Sequence, residues 1–149
     1  MRLAFDSAIE GIRNQEGGPF GAVIVCKKKV LAVTHNTVLL DKDPTSHAEI
    51  NAIRKATAIK GIDLSDCIIY STTEPCPMCF SAIHWAKIPK IIFGTRVEDA
   101  AKYGFNELRV SNERIRLIGR LETEIIGDFK REECLKLFEE YESLSGKKY

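Results

Sequence analysis

The sequence holds no run of about 20 apolar residues, the length that crosses a bilayer, so no transmembrane helix is expected. Its opening "MRLAFDSAIEGIRNQEGG" breaks the apolar residues with acidic ones and lacks the continuous core of a signal peptide. Charge of either sign is not in excess: 22 lysines and arginines face 21 aspartates and glutamates, a net charge of +1. That balance argues against a general attraction to nucleic acid or an anionic membrane and suits a small neutral substrate. Linkers rich in glycine, serine or proline are missing, and so are internal repeats, which leaves 149 residues to form one domain, 1–149. A disulfide framework is not suggested either, because the cysteines are odd in number: 26, 67, 76, 79 and 134. In the cytoplasm, the compartment these absences imply, all five are expected to stay reduced, and attention moves to metal binding or catalysis.

What is present is a clear alternation of elements. Phe5, Ala8, Ile9 and Ile12 recur at helical spacing over about 2–15, until "EGGPFG" stops the helix. "GAVIVCKKKVLAVTHN" reads as two strands around a lysine tip, ending near Asn36. A helix from near Ser46 to Gly61 is expected to bury Ala52, Ala56 and Ile59. "DCIIYST" forms a short buried strand, and Pro77 opens a helix whose apolar row is Met78, Ala82 and Trp85. "KIIFGT" gives a fourth strand, residues 97 to 103 one or two helical turns, and "RIRLIG" a fifth strand. Cys134, Leu137, Phe138 and Tyr141 mark the buried face of a last helix. This order argues for an α/β fold, one twisted sheet covered by helices on both faces.

Cys76 and Cys79 stand three apart at a strand-to-helix turn, where a helix N-terminus favours the thiolate that a metal needs. Alone, a Cys-x-x-Cys pair also fits a redox motif or half of a structural zinc site. His47, at the start of another helix that follows a strand and loop, can reach the same edge of the sheet and complete three ligands. No fourth ligand fits. Cys67 begins the strand, some 17 Å or more from its far end at ~3.3 Å per residue. His84 lies about 7.5 Å along the helix from Cys79 and on another face. Cys26 belongs to the first strand and Cys134 to the last helix. Three protein ligands with a position left for water is the catalytic zinc pattern, in which the metal lowers the pKa of bound water toward ~7.

Glu49 admits two readings. With Ser46 it forms Ser-x-x-Glu, the capping box in which the glutamate reaches back to the cap residue's amide. Two residues after a zinc ligand, it can instead move protons at the metal. Spacing permits both, since positions 47 and 49 are about 200° apart on a helix and meet at one water only if the first turn overhangs the metal.

"HAE" at 47–49 with "PCPMC" at 75–79 is the His-x-Glu and Pro-Cys-x-x-Cys signature of zinc nucleobase deaminases. Together with "GGPFGAVIV", "KDPTSHAEINAIR" and "DAAKYGF", these stretches make nearly the whole chain resemble the cytidine deaminase-like superfamily, most closely its bacterial guanine deaminases. The resemblance implies a three-layer α/β/α fold with a five-stranded mixed sheet, one zinc ion per chain on His47, Cys76 and Cys79, and Glu49 as catalytic proton shuttle. It implies a homodimer in which C-terminal segments, about 128–149, are exchanged, so that Tyr149 of one chain meets substrate in the other. Asn36 would hydrogen-bond the base, Phe20 and Trp85 would wall the pocket, and Glu107 would face the purine. Glu107 departs from the aspartate that the family often carries in "GFDD", here "GFNE".

The expected reaction is hydrolysis of guanine to xanthine and ammonia. Rivals within the same chemistry are a tRNA adenosine deaminase and a deaminase of cytosine or a triazine. A rival of another class is a structural zinc or redox module without catalysis.

Overall fold

The computed structural model describes residues 1–148; Tyr149, expected at the substrate, lies outside the described residues. Helix α1 (Arg2–Arg13) leads into an antiparallel hairpin of β1 (Gly21–Cys26) and β2 (Lys29–His35). Lys27 and Lys28 turn it in left-handed conformations, φ 48° and 66°. A short helix α2 (Val38–Asp41) precedes α3 (Ala48–Lys60). The chain then alternates through β3 (Cys67–Thr73), α4 (Pro77–Trp85), β4 (Lys90–Thr95), α5 (Val97–Lys102) and α6 (Asn112–Gly119). It closes with β5 (Glu124–Ile126) and α7 (Arg131–Ser143).

The five strands lie in the order β2-β1-β3-β4-β5. The hairpin and β3 pair antiparallel, and β3, β4 and β5 run parallel, which makes the sheet mixed as expected. Two apolar clusters form the core. Ile24, Ile69 and Ile91 meet Ala52 and Ala56 of α3 and Phe80 and Ile83 of α4 on one face. Ala8 and Ile12 of α1 meet Leu137, Phe138 and Tyr141 of α7 on the other. The result is three layers, α/β/α.

Several expectations are corrected. "RIRLIG" is not a strand but most of α6: the Ser111 hydroxyl accepts the Arg114 amide and caps a helix, while Leu117 and Ile118 stay exposed. The fifth strand is the three residues 124–126, paired in parallel beside β4. Ile59 is exposed because α3 buries Ala48, Glu49, Ala52 and Ala56, and its last turn runs beyond that row. In α4 the buried side chains are Cys79, Phe80 and Ile83 rather than Met78, Ala82 and Trp85. The cysteines are not all reduced: Cys26 and Cys67 face each other in register on β1 and β3, with Cα atoms 4.1 Å apart, and form a disulfide. That cross-strand pairing joins residues 41 apart in sequence, a proximity that cysteine count does not carry. The other three cysteines are free.

In the C-terminal segment, α7 lies against α1 and β4. No described helix is long and apolar enough to cross a membrane.

Candidate active site

The parallel connection from β3 and the loop after β2 deliver two helix N-termini to one edge of the sheet. His47 is the N-cap of α3 and Cys76 the N-cap of α4, each with extended backbone. Pro77 follows Cys76 at the first helical position, where its fixed φ suits the helix and its missing N–H costs no bond. Cys79 then turns back beneath Cys76.

His47 Nδ1 stands 3.6 Å from Cys76 Sγ and 3.6 Å from Cys79 Sγ, and all three donor atoms lie within 4.8 Å of one another. Bonds of ~2.3 Å to sulfur and ~2.0 Å to nitrogen at tetrahedral angles place N and S about 3.5 Å apart, so the spacing fits zinc. The electrostatics agree. The Cys76 thiol is lowered to about 4, chiefly by the hydrogen bond from Cys79 and, against burial, by His47. Cys79 is pushed well up, by that same shared bond, by burial and by the Glu49 carboxylate. Burial opposes charge on His47, but its bond to Cys76 and the negative charges of Glu49, Cys76 and Glu107 outweigh it and raise its pKa. The lowered pKa favours a thiolate at Cys76, and a bound divalent cation would supply the charge that favours the second.

Glu49 is not the capping residue. The helix begins one residue after Ser46 would place it, its N-cap carries no side-chain bond, and the Glu49 carboxylate points inward, 5 % exposed. Ser71 Oγ of β3 donates to its Oε1 at 2.9 Å, and the Cys79 thiol donates toward its Oε2 at 3.5 Å. Burial raises the Glu49 pKa, with His47 and Ser71 pulling the other way. A carboxylate that binds a proton more readily than usual, beside the metal donors, is suited to accept and return one.

A cavity of about 270 Å³ opens beside His47 and Cys76, walled by Phe20, Asn36, Phe105 and Glu107. A small recess behind it joins Phe20, His47, Glu49, Glu74, Cys76 and Glu107. Asn36 is buried, and its Oδ1 accepts the amides of Gly18 (3.1 Å) and Val38 (3.2 Å), which fixes the carboxamide plane. A Cβ at Gly17 would collide with Asn36, so the "GGPF" turn is built around that side chain. Phe20 is held edge-on by Phe105 and Phe138, with ring centres 5.0 and 5.9 Å away. Glu107 is raised to about 7 by burial and by the Cys76 thiolate. Trp85 does not join them: it ends α4, 77 % exposed, and lines neither space.

Sequence reasoning missed three residues. Ser71 lies within an ordinary strand, and nothing local marks it. Asn51 Nδ2 donates to His35 O (3.1 Å) and Thr37 Oγ1 (2.9 Å), tying the Asn36 loop to α3. Phe105 is visible in "YGF" only as an aromatic.

Soft sulfur and imidazole donors beside a buried, proton-accepting carboxylate define a zinc-dependent hydrolase. Residues 1–95 match the cytidine and deoxycytidylate deaminase zinc-binding region, and the chain belongs to that family, the zinc-dependent nucleobase deaminases. The guanine deaminase of Bacillus subtilis (strain 168) is 44% identical over 108 residues, which cover 72% of this chain and 69% of that protein. The X-ray structure of guanine deaminase from Bacillus subtilis matches with a TM-score of 0.69 at 45% identity, over 71% of this chain and 68% of that one. The tRNA-specific adenosine deaminase of Buchnera aphidicola subsp. Schizaphis graminum is 32% identical over 143 residues, 95% of this chain and 90% of that protein. A guanine deaminase structure from Nitrosomonas europaea shares the fold, with a TM-score of 0.85 at 24% identity over 95% of this chain and 82% of that one.

Proposed function

We propose that this chain hydrolyses guanine to xanthine and ammonia, with zinc on His47, Cys76 and Cys79 and Glu49 as the proton shuttle. The observation that carries the reading is the convergence of Glu107 and Glu49 on one recess behind His47 and Cys76. The first suits the ring N–H and amino edge of a purine, and the second suits proton transfer at the carbon that bears the amino group. The 44% identity with a guanine deaminase supports the same substrate.

Bound zinc lowers the pKa of a water molecule in the site. Glu49 accepts the proton that the attacking water loses and passes it to a ring nitrogen, then takes the remaining proton of the new hydroxyl, as that becomes the carbonyl, and delivers it to the departing ammonia. Phe20 offers a ring to the planar base, and Asn36, held by two amides, presents its carboxamide in one orientation. Guanine and water are consumed, and xanthine and ammonia are formed.

The proposal extends to a cytoplasmic homodimer in which residues 128–149 exchange, since the bed of α7 on α1 and β4 is the same whichever copy fills it. Light scattering on the eluted protein reads the mass, and a monomer removes the exchange.

The 32% identity over 95% of the chain favours a second reading, adenosine in tRNA. Ammonia release from guanine, guanosine, adenine, cytosine, cytidine, ammeline and tRNA separates them. Release from guanine is expected; none from guanine overturns the first reading, and release from tRNA alone establishes the second.

A further inference from the structure

The six residues 106–111 cross the mouth of the cavity between two buried anchors. At one end Phe105 sits among Phe20, Phe138 and Tyr141, and its amide donates to Ala100 O at 3.3 Å. At the other end Asn112 is 0 % exposed. Between them Asn106, Leu108 and Arg109 face solvent, while Glu107 is turned into the recess beside Cys76.

Asn112 does more than begin α6. Its backbone N–H donates to Glu74 Oε1 at 2.7 Å, and its Nδ2 donates to Pro75 O at 2.6 Å. Glu74 and Pro75 directly precede the metal donor Cys76, so one side chain joins the strap that carries Glu107 to the turn that presents Cys76. The second Glu74 oxygen accepts the Val97 amide at 3.3 Å, which brings the start of α5 into the same clamp. Asn112 Oδ1 is buried without a hydrogen-bond partner. Turning the amide over would set that oxygen against Pro75 O, so the bond to Pro75 fixes its orientation although a buried acceptor is left unmatched.

We propose that Asn112 is a positioning residue for base recognition: through Glu74 and Pro75 it holds Glu107 in register with the metal donors. The inference rests on the free-base deaminase reading above and assigns its specificity strap an anchor outside the pocket. A base gripped by Glu107 then presents its amino-bearing carbon to Glu49 in one pose, and slack in the strap degrades binding before it degrades proton transfer.

The test compares zinc-loaded wild type with Asn112→Ala and with Asn112→Asp, which keeps the shape but replaces the donor facing Pro75 O with an acceptor. Zinc content, melting temperature, kcat and KM for guanine, and deuterium uptake of residues 106–111 are measured together. KM is expected to rise roughly 5- to 20-fold in both variants with kcat within about twofold, zinc unchanged and uptake in 106–111 faster. An unchanged KM and uptake overturn the proposal, as does a parallel loss of zinc and kcat, which would mark a purely structural residue. If Asn112→Ala does not fold, Asn112→Asp decides alone. If wild type acts on another base, the guanine reading fails, and the KM for that base with the deuterium uptake still decides the clamp.

Discussion

Ser71 of β3 donates to the buried carboxylate of Glu49 in α3 at 2.9 Å, across 22 residues of sequence. The bond comes from the sheet side, opposite the helix end where a capping glutamate would turn. It aims Glu49 at the sulfur and imidazole donors, and it favours the charged form that burial disfavours.

Ser71→Ala should therefore damage the reaction without touching the metal. Loss of one buried, charge-assisted bond is worth roughly 1.5–3 kcal/mol, so kcat/KM should fall about 10- to 100-fold while zinc content stays at that of wild type. Steady-state kinetics beside metal analysis reads both; full kcat/KM in the variant would mean that Ser71 does not orient Glu49.

Removal of zinc with a chelator should abolish ammonia release and lower the melting temperature, because the folded state loses the binding energy of a cation that the unfolded chain does not hold. Zinc returned in stoichiometric amount should restore both. Cys76→Ser, which replaces the sulfur of the readily formed thiolate, should bind zinc more weakly than wild type. Activity that survives complete zinc removal would contradict the assignment of the three ligands.

The ligands were legible because chemistry imposes their spacing: Pro77, inside Cys-x-x-Cys, starts one helix just after Cys76, and His-x-Glu starts another. Their meeting point followed from layered α/β topology. Ser71 was not legible, since a serine in "DCIIYST" is an ordinary strand residue until α3 is laid across it. "RIRLIG" alternates polar and apolar residues like a strand, yet the cap at Ser111 and the pairing of β5 with β4 decide for a helix. The Cys26–Cys67 disulfide depends on the register between β1 and β3, which neither segment specifies alone. Trp85 read as a pocket wall from resemblance, but its place at the end of α4 turns it to solvent.

Asp99 contributes to the acid side of stability. Arg131 of α7 holds it bidentately, with Nη2 to Oδ1 at 2.9 Å, and with the Arg96 amide it keeps the Asp99 carboxyl at about 2. A depressed pKa contributes stability that is present above the usual carboxylate value and lost as pH falls through the folded one. Asp99→Asn should cost about 1–2 kcal/mol at pH 6, allowing for solvent screening, and the difference from wild type should vanish between about pH 4 and pH 2. Denaturant melts across that range test it; a constant difference would assign the cost to packing.

The disulfide should be countable. Unfolded, chelated and unreduced protein should show three reactive thiols, and five after reduction. Reduction should lower stability by about 2–4 kcal/mol. Guanine turnover at room temperature should persist, because Cys67 begins the strand whose far end supports the site, some 20 Å away at ~3.3 Å per residue.

The most direct measurement is ammonia release from guanine by Glu49→Gln, with zinc determined on the same sample. Gln keeps the shape and a Ser71 acceptor but cannot carry the proton. The account predicts one zinc per chain and turnover reduced by at least about 10²-fold. A zinc-loaded variant that releases ammonia at the wild-type rate would contradict it.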